Sequence, residues 1–270
     1  MSNFSDFISG SGGSASFPTI FLHNSQTFVP PQDGKIMIHV IGAGGAGSAS
    51  TSNGQIAGGA AGGYCRKNSL AVTTSGSFTV TIGAGGAGIV GSVYAGNAGG
   101  TTSVAGTGLS STLTATGGAG GALNNTQFNT AGGGSNGDVN RTGGPGGYRI
   151  GGGAIGLTTT GNAGRNAGIY QSSFGGPCDI LGDFYSSSLG QLAGSHGGIG
   201  VYNSNSGGGA TQEPAGPLAG GGGVSFESVS GSANPHASIG GGGGWCLSNA
   251  VGNLRAGRGG EGCVVIQYIP

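Results

Sequence analysis

Charge is what this sequence has least of. Eight basic and eight acidic residues make up 6% of 270 and cancel to a net charge of +0, where ordinary domains are about 25% charged. Binding nucleic acid through its phosphates needs a basic patch or stripe. The basic residues Arg141, Arg149, Arg165, Arg255 and Arg258 are dispersed, so no nucleic-acid partner is expected. No apolar run approaches the roughly 18 residues of a membrane-spanning helix, and no membrane span is expected. Residues 1–16, MSNFSDFISGSGGSAS, lack the basic-then-apolar order of a signal peptide. Helical periodicity with caps at both ends is missing from every window. The four cysteines (Cys65, Cys178, Cys246, Cys263) show no C-x-x-C spacing and the four histidines (His23, His39, His196, His236) are scattered. A metal centre would therefore have to be assembled wholly by tertiary contacts, and buried free thiols in a reducing compartment are the simpler expectation.

Proline is also scarce, with nine residues, and runs such as Gly220–Gly223 and Gly240–Gly244 break any G-X-Y register. Both facts exclude a collagen triple helix. What the sequence has instead is glycine: 70 residues, roughly a quarter of the chain against a usual share of about 7%. A disordered Gly/Ser chain is the first candidate, but such chains usually stay solvated through charge. This chain has little charge, and aliphatic and aromatic residues recur between its glycine runs as though pinning them. An ordered protein is expected. The mechanism is a polyglycine-II-like arrangement, extended segments with three residues per turn and no internal hydrogen bonds. Their amides must then be satisfied by neighbouring segments, which lie close because no Cβ intervenes.

Along the chain, Phe4, Phe7 and Ile8 form a short apolar cluster before a flexible Gly/Ser run, which reads as a docking tail over 1–16. Residues 17–29 read as one or two short strands, and Pro30 to Gly34 as a turn. Lys35 to Ile41 is a strand running straight into GAGGAG at 42–47. Phe78 to Ile82 is another that runs into GAGGAG at 83–88, an offset of 83 − 42 = 41 residues. Residues 58–66, 99–104 and 110–121 suggest further short strands with glycine turns. From 131 to 262 glycine runs alternate with polar, aromatic-containing inserts, and Cys263 to Ile269 returns as an apolar strand. The expected fold is all-β: a small antiparallel framework with strands near 35–41, 78–82 and 263–269, a long polyglycine-II-like loop region, and almost no helix. One domain over 17–270 follows, in a strand-rich part (17–130), a glycine-rich excursion (131–262) and a return strand (263–270). Lys35 to Ile41 is expected to pair with Cys263 to Ile269.

Two motifs suggest catalysis and lack its context. Gly42-x-Gly44-x-x-Gly47 follows a strand as a dinucleotide fingerprint does. However, 48–63 carries no helix pattern to place an N-terminus at a pyrophosphate, and after Lys35 the next acidic residue is Asp138. Gly133 to Gly137 matches G-x-S-x-G, but a nucleophile elbow needs a buried strand before Ser135 and a helix after it. No P-loop pattern occurs. The reading is no enzyme, no catalytic residues, no metal site and no cofactor.

The blocks FVPPQDGKIMIHVIGAGGAG, SFTVTIGAGGAG, GGTTSV, TATGGAGG and GEGCVVIQYIP resemble the glycine-rich domain of many bacteriophage tail-fibre and appendage proteins, over roughly residues 26–122 and 259–270. The start, residues 1–16, is similar to the short tails of some marine phage structural proteins. A more distant similarity is to phage adhesins with polyglycine II sandwiches at their tips. The resemblance implies a virion component of a tail fibre, spike or tail tip that is made in the host cytoplasm. It would act as a receptor-binding adhesin, held to other virion proteins through Phe4, Phe7 and Ile8. Its host partner would be a surface glycan or an outer-membrane protein. Fibres of this kind are commonly trimers, which makes a homotrimer one expectation, although a polyglycine II bundle can be complete in one chain. Recognition residues are expected on the inserts, with Tyr148, Arg149, Phe174, Tyr185, Tyr202 and Trp245 as candidates; each has the competing role of pinning a glycine segment. Two alternatives stand beside this reading: a purely structural virion fibre or decoration protein, and an ice-binding or cell-wall glycine-rich protein.

Overall fold

The computed structural model describes residues 18–50, 56–89, 94–123, 129–147, 153, 239–244 and 256–270, together with the strand pairing of 173–174, 199–200, 202–203 and 246–248. Among the described residues there is no helix. The strands are β1 (Thr19–Leu22), β2 (Gln26–Phe28), β3 (Gly34–Ile41), β4 (Ala49–Ser50), β5 (Tyr64–Val72), β6 (Phe78–Thr81), β7 (Thr102–Gly106), β8 (Leu113–Ala115), β9 (Gly134–Ser135) and β10 (Val139–Arg141), followed by β11 (Ser173–Phe174), β12 (Ile199–Gly200), β13 (Tyr202–Asn203), β14 (Cys246–Ser248) and β15 (Cys263–Ile269).

Two antiparallel five-stranded sheets, in the orders β1-β15-β3-β5-β10 and β2-β6-β7-β8-β9, form a sandwich. Strand alternation builds its core. Ile36, Ile38 and Val40 of β3 and Val264, Ile266 and Tyr268 of β15 point inward, and they meet Phe28, Phe78, Val80, Val104 and Leu113 from the other sheet. β3 and β15 are antiparallel partners over seven residue pairs, Lys35↔Ile269 to Ile41↔Cys263, as the two most apolar runs in the sequence lead one to expect. Between β3 and β5 the register slips, with Ile36 opposite Leu70 and Ile38 opposite Lys67. Asn68 and Ser69 thus share the space facing Met37, a bulge that bends the strand. The sheets join at one edge through β9 and β10, where Gly133 bridges Thr142 and Asn136 turns the chain at φ 64. The strand expected at 78–82 lies in the second sheet, across the core from β3.

The glycine segments are not turns, as 58–121 suggests in sequence, but the continuation of the strands. β3, β6 and β8 run on into 42–48, 83–89 and 116–121; 57–63, 94–100 and 256–262 run into β5, β7 and β15. Together with 129–133, 143–147 and 240–244 they make a bundle stacked end-on against the sandwich. Its hydrogen bonds repeat every three residues. In 42–48 the N–H groups of Gly42, Gly45 and Ser48 donate to the carbonyls of Gly63, Ala60 and Ala57, each at 2.9 Å. Those of Ala43 and Ala46 donate to Gly100 and Asn97 at 3.2 and 2.8 Å, and those of Gly44 and Gly47 to Gly260 and Gly257 at 2.9 and 3.0 Å. The carbonyls of Ala43 and Ala46 accept from Gly118 and Gly121, that of Gly44 from Gly86, and that of Gly45 from Gly243. One segment thus has six neighbours, three taking its donors and three supplying its acceptors, which is the bonding of polyglycine II. At about 3.1 Å per residue the seven residues span about 20 Å.

The reason for glycine here is space rather than left-handed backbone. Among the described residues positive φ occurs only at Gly34, Gly108, Gly240 and Asn136, none of them inside 42–63. A Cβ added to Gly42, Gly44, Gly45, Gly59 or Gly62 would instead overlap a neighbouring carbonyl oxygen: that of Thr116, Gly241, Ala119, Gly45 or Gly42 respectively.

Candidate functional site

Strand direction gives the molecule two poles. β15 runs from Cys263, beside Ile41 at the junction, to Ile269, beside Lys35, and β1 starts at Thr19 opposite Gln267. Pro18 and Pro270 therefore lie at the end of the sandwich away from the bundle. At the opposite end, where 42–48 finishes, lie Ser48–Ser50, Ile56–Ala57, Ile89, Tyr94 and Ala256. Ala256 donates to the Ile89 carbonyl at 3.2 Å, and Ala49 and Tyr94 exchange both backbone bonds at 3.0 and 2.9 Å.

A small parallel sheet, β13-β14-β4, belongs to this far pole. Tyr202 pairs with Leu247 and Leu247 with Ser50, while Cys246 pairs with Ala49. Since Ala49 also bridges Tyr94, three pairings of about 4.8 Å each separate the backbones of Tyr202 and Tyr94, about 14 Å in all. Phe174 pairs with Ile199, three residues before Tyr202. Of the recognition candidates, Phe174 and Tyr202 are thus brought into one neighbourhood. Tyr148, Arg149, Tyr185 and Trp245 lie outside the described residues, as do Phe4, Phe7 and Ile8. Tyr94 was not among the candidates, yet it is 55% exposed. The signal available in the sequence was that Tyr94 is the one aromatic residue between Phe78 and Phe128.

Elsewhere the polar chemistry is structural. On the outer face of the first sheet His39 is fully buried, with Nδ1 2.8 Å from the Tyr64 hydroxyl and Nε2 3.0 Å from Gln267 Oε1. Gln267 Oε1 can only accept, so Nε2 donates to it. Lys67 Nζ lies 2.8 Å from Asp138 Oδ1, and the Asn68 N–H donates to Oδ2 at 2.7 Å. These two bonds hold the Asp138 carboxyl below its usual range. Burial pushes the Cys65 thiol up to about 11 and the Cys263 thiol up to about 12, so both are inert thiols on opposite faces of one sheet. Burial also raises Tyr268, whose hydroxyl donates to the Gln32 carbonyl at 3.1 Å. Cys178 lies outside the described residues, and only the strand placement of Cys246 is described.

The two catalytic look-alikes take other roles. The N–H groups of Gly42 to Gly47 are all spent on neighbouring segments, leaving none aimed at a phosphate, and no helix begins there. Ser135 sits in β9, followed by a turn into another strand, and not at a strand-to-helix elbow. Among the described residues no three of His, Cys, Asp or Glu come together to hold a metal ion, and no helix is long and apolar enough to cross a membrane.

A family profile described as a glycine-rich domain matches residues 22–269. No curated protein matches the chain.

Proposed function

We propose that this chain, which belongs to the glycine-rich domain family, is a virion protein of a bacteriophage tail fibre, spike or tail tip that acts as a receptor-binding adhesin without catalytic activity. The observation that carries this reading is the separation of the poles. Pro18, two residues beyond the tail, stands at one end, while β4, β13, β14 and Tyr94 stand at the other, beyond a bundle of about 20 Å. An adhesin needs that arrangement, with one end for its anchor and one for its target and a stiff body between them. The bundle suits the body, because the backbone donors of its central segment 42–48 are all paired, in three directions, and its stiffness does not depend on charge or salt. In this reading Phe4, Phe7 and Ile8 dock on another virion protein, and Tyr202 and Phe174 belong to the end that meets a host-surface glycan or outer-membrane protein.

The test is immuno-electron microscopy of purified particles with an antibody against residues 140–260, combined with an adsorption assay. The expected result is label at the tip of a tail appendage and blocked adsorption. Unlabelled particles would overturn the virion assignment. Label with unimpaired adsorption would leave a structural fibre protein and overturn the adhesin role.

A further inference from the structure

We propose that the bundle carries, towards its far pole, a binding surface for a neutral polysaccharide, formed by Tyr94 and by the backbone N–H groups of Ala95, Asn97 and Ala98, which have no acceptor among the described residues. The biological setting of this surface rests on the adhesin reading; its chemistry does not.

In segment 94–100 the N–H groups of Tyr94, Gly96, Gly99 and Gly100 donate to Ala49, Gly121, Gly118 and Ala84. Those of Ala95, Asn97 and Ala98 have no acceptor among the described residues, and all three residues are exposed. Ala95 and Ala98 stand one turn apart, about 9 Å along the segment, and so offer the same donor twice in one line. The neighbouring segment 83–89 continues the surface, because Ala84 and Ala87 are exposed and their N–H groups likewise have no acceptor among the described residues. The two segments are locked together by Gly100 N–H to the Ala84 carbonyl at 2.8 Å and by Asn97 Nδ2 to the Ala87 carbonyl at 3.1 Å. Tyr94 heads this array, its backbone fixed to Ala49 in both directions, so its ring is presented from a rigid base.

Three properties select the ligand. Segments 83–89 and 94–100 carry no charged side chain, and the exposed Arg258 and Glu261 of the adjoining segment 256–262 are of opposite sign, so neither an anionic nor a cationic partner finds a patch of counter-charge. A protein partner would bury about 800 Å² per side around several aromatic or arginine anchors, whereas segments 83–89 and 94–100 carry one ring among methyl groups. A sugar ring fits what is there: its C–H face packs on the tyrosine ring, and its hydroxyls, each both donor and acceptor, replace the water on the open amides. A repeating polymer can engage both Ala95 and Ala98.

The test uses the purified full chain and its variants Tyr94→Ala and Ala98→Glu, with Val29→Ala, an exposed sandwich position, as the control. Retention is measured on immobilised dextran, mannan and galactan, with polygalacturonate as the acidic comparison. The expected result is binding to at least one neutral polymer, a loss of tenfold or more in both bundle variants, none in Val29→Ala, and unchanged melting in all three. The proposal is overturned if the native chain binds no neutral polymer, if it prefers polygalacturonate, or if the folded bundle variants bind as the native chain does. Blocked phage adsorption by a protein that binds none of the neutral polymers would overturn this inference and leave the adhesin reading standing. Tyr94-dependent polymer binding by a protein absent from virions would do the reverse.

Discussion

Replacing Gly45 by alanine adds a single methyl group, and the structure makes that methyl expensive. The new Cβ would sit inside the van der Waals envelope of the Ala119 carbonyl oxygen, so segments 42–48 and 116–121 must separate. Three bonds run through this contact: Gly45 N–H to Ala60 O at 2.9 Å, Gly243 N–H to Gly45 O at 2.8 Å, and Ala60 N–H to Ala119 O at 2.9 Å. Each buried group left unpaired costs about 1–3 kcal/mol, so disrupting two or three of them costs about 2–9 kcal/mol. That is a large share of the roughly 5–15 kcal/mol of a typical domain. Gly133 supplies the internal control, since nothing lies within 4 Å of its would-be Cβ. Gly133→Ala should be neutral or stabilise by up to about 1 kcal/mol through the unfolded chain. At about 2–4 °C per kcal/mol for a chain of this size, Gly45→Ala should melt several degrees or more below Gly133→Ala by circular dichroism. Melting of the two variants within 2 °C of each other would refute the idea that backbone proximity holds the bundle together.

Asp138 should give a small, pH-dependent contribution. Its carboxyl is held below the ordinary value by the Lys67 hydrogen bond and the Asn68 N–H, so its stabilisation is present above the unfolded value and lost as pH falls through the folded one. Asp138→Asn should lower the urea midpoint at pH 7 by the equivalent of less than about 1 kcal/mol, as for an exposed pair, and the difference from the native chain should vanish near pH 2. A difference that persists in acid would assign the effect to something other than the carboxylate. Cys65 and Cys263, with thiols raised by burial to about 11 and about 12, should resist iodoacetamide at pH 8 in the native protein and be modified in urea, as read by peptide mass mapping. Rapid native labelling of either would contradict its burial.

The framework was legible because strand signals survive in isolation. β3 and β15 are continuous apolar runs, and the pattern of Phe78, Val80 and Ile82 gives away β6. The pairing of β3 with β15 followed from their being the two best candidates for a common core. The glycine segments were legible in kind and not in place. Glycine spacing reveals that backbones approach one another but does not say which ones, because every glycine tract offers the same donors and acceptors. The polyglycine-II-like region is expected from sequence in the excursion 131–262, most of which lies outside the described residues, and 42–48, 57–63, 83–89, 94–100 and 116–121 supply most of the described bundle. The assignment of neighbours comes from the sandwich: each strand delivers its glycine segment to a fixed point on a lattice. Tyr94 escaped notice for a similar reason, since its exposure depends on 94–100 lying at the rim and not at the centre, which no local pattern encodes.

The central position of 42–48 also sets a timetable. Its neighbours include 240–244 and 256–262, and β3 needs β15, so segments made early wait for partners made some 200 residues later. Closing loops of that length before any contact rewards them makes folding slow. The bundle cannot close while the chain is still growing through residue 240, and until then its glycine tracts remain solvated. Those tracts expose few large side chains in that interval, so a bundle whose core is built out of backbone adds little to what the unfinished chain could aggregate through.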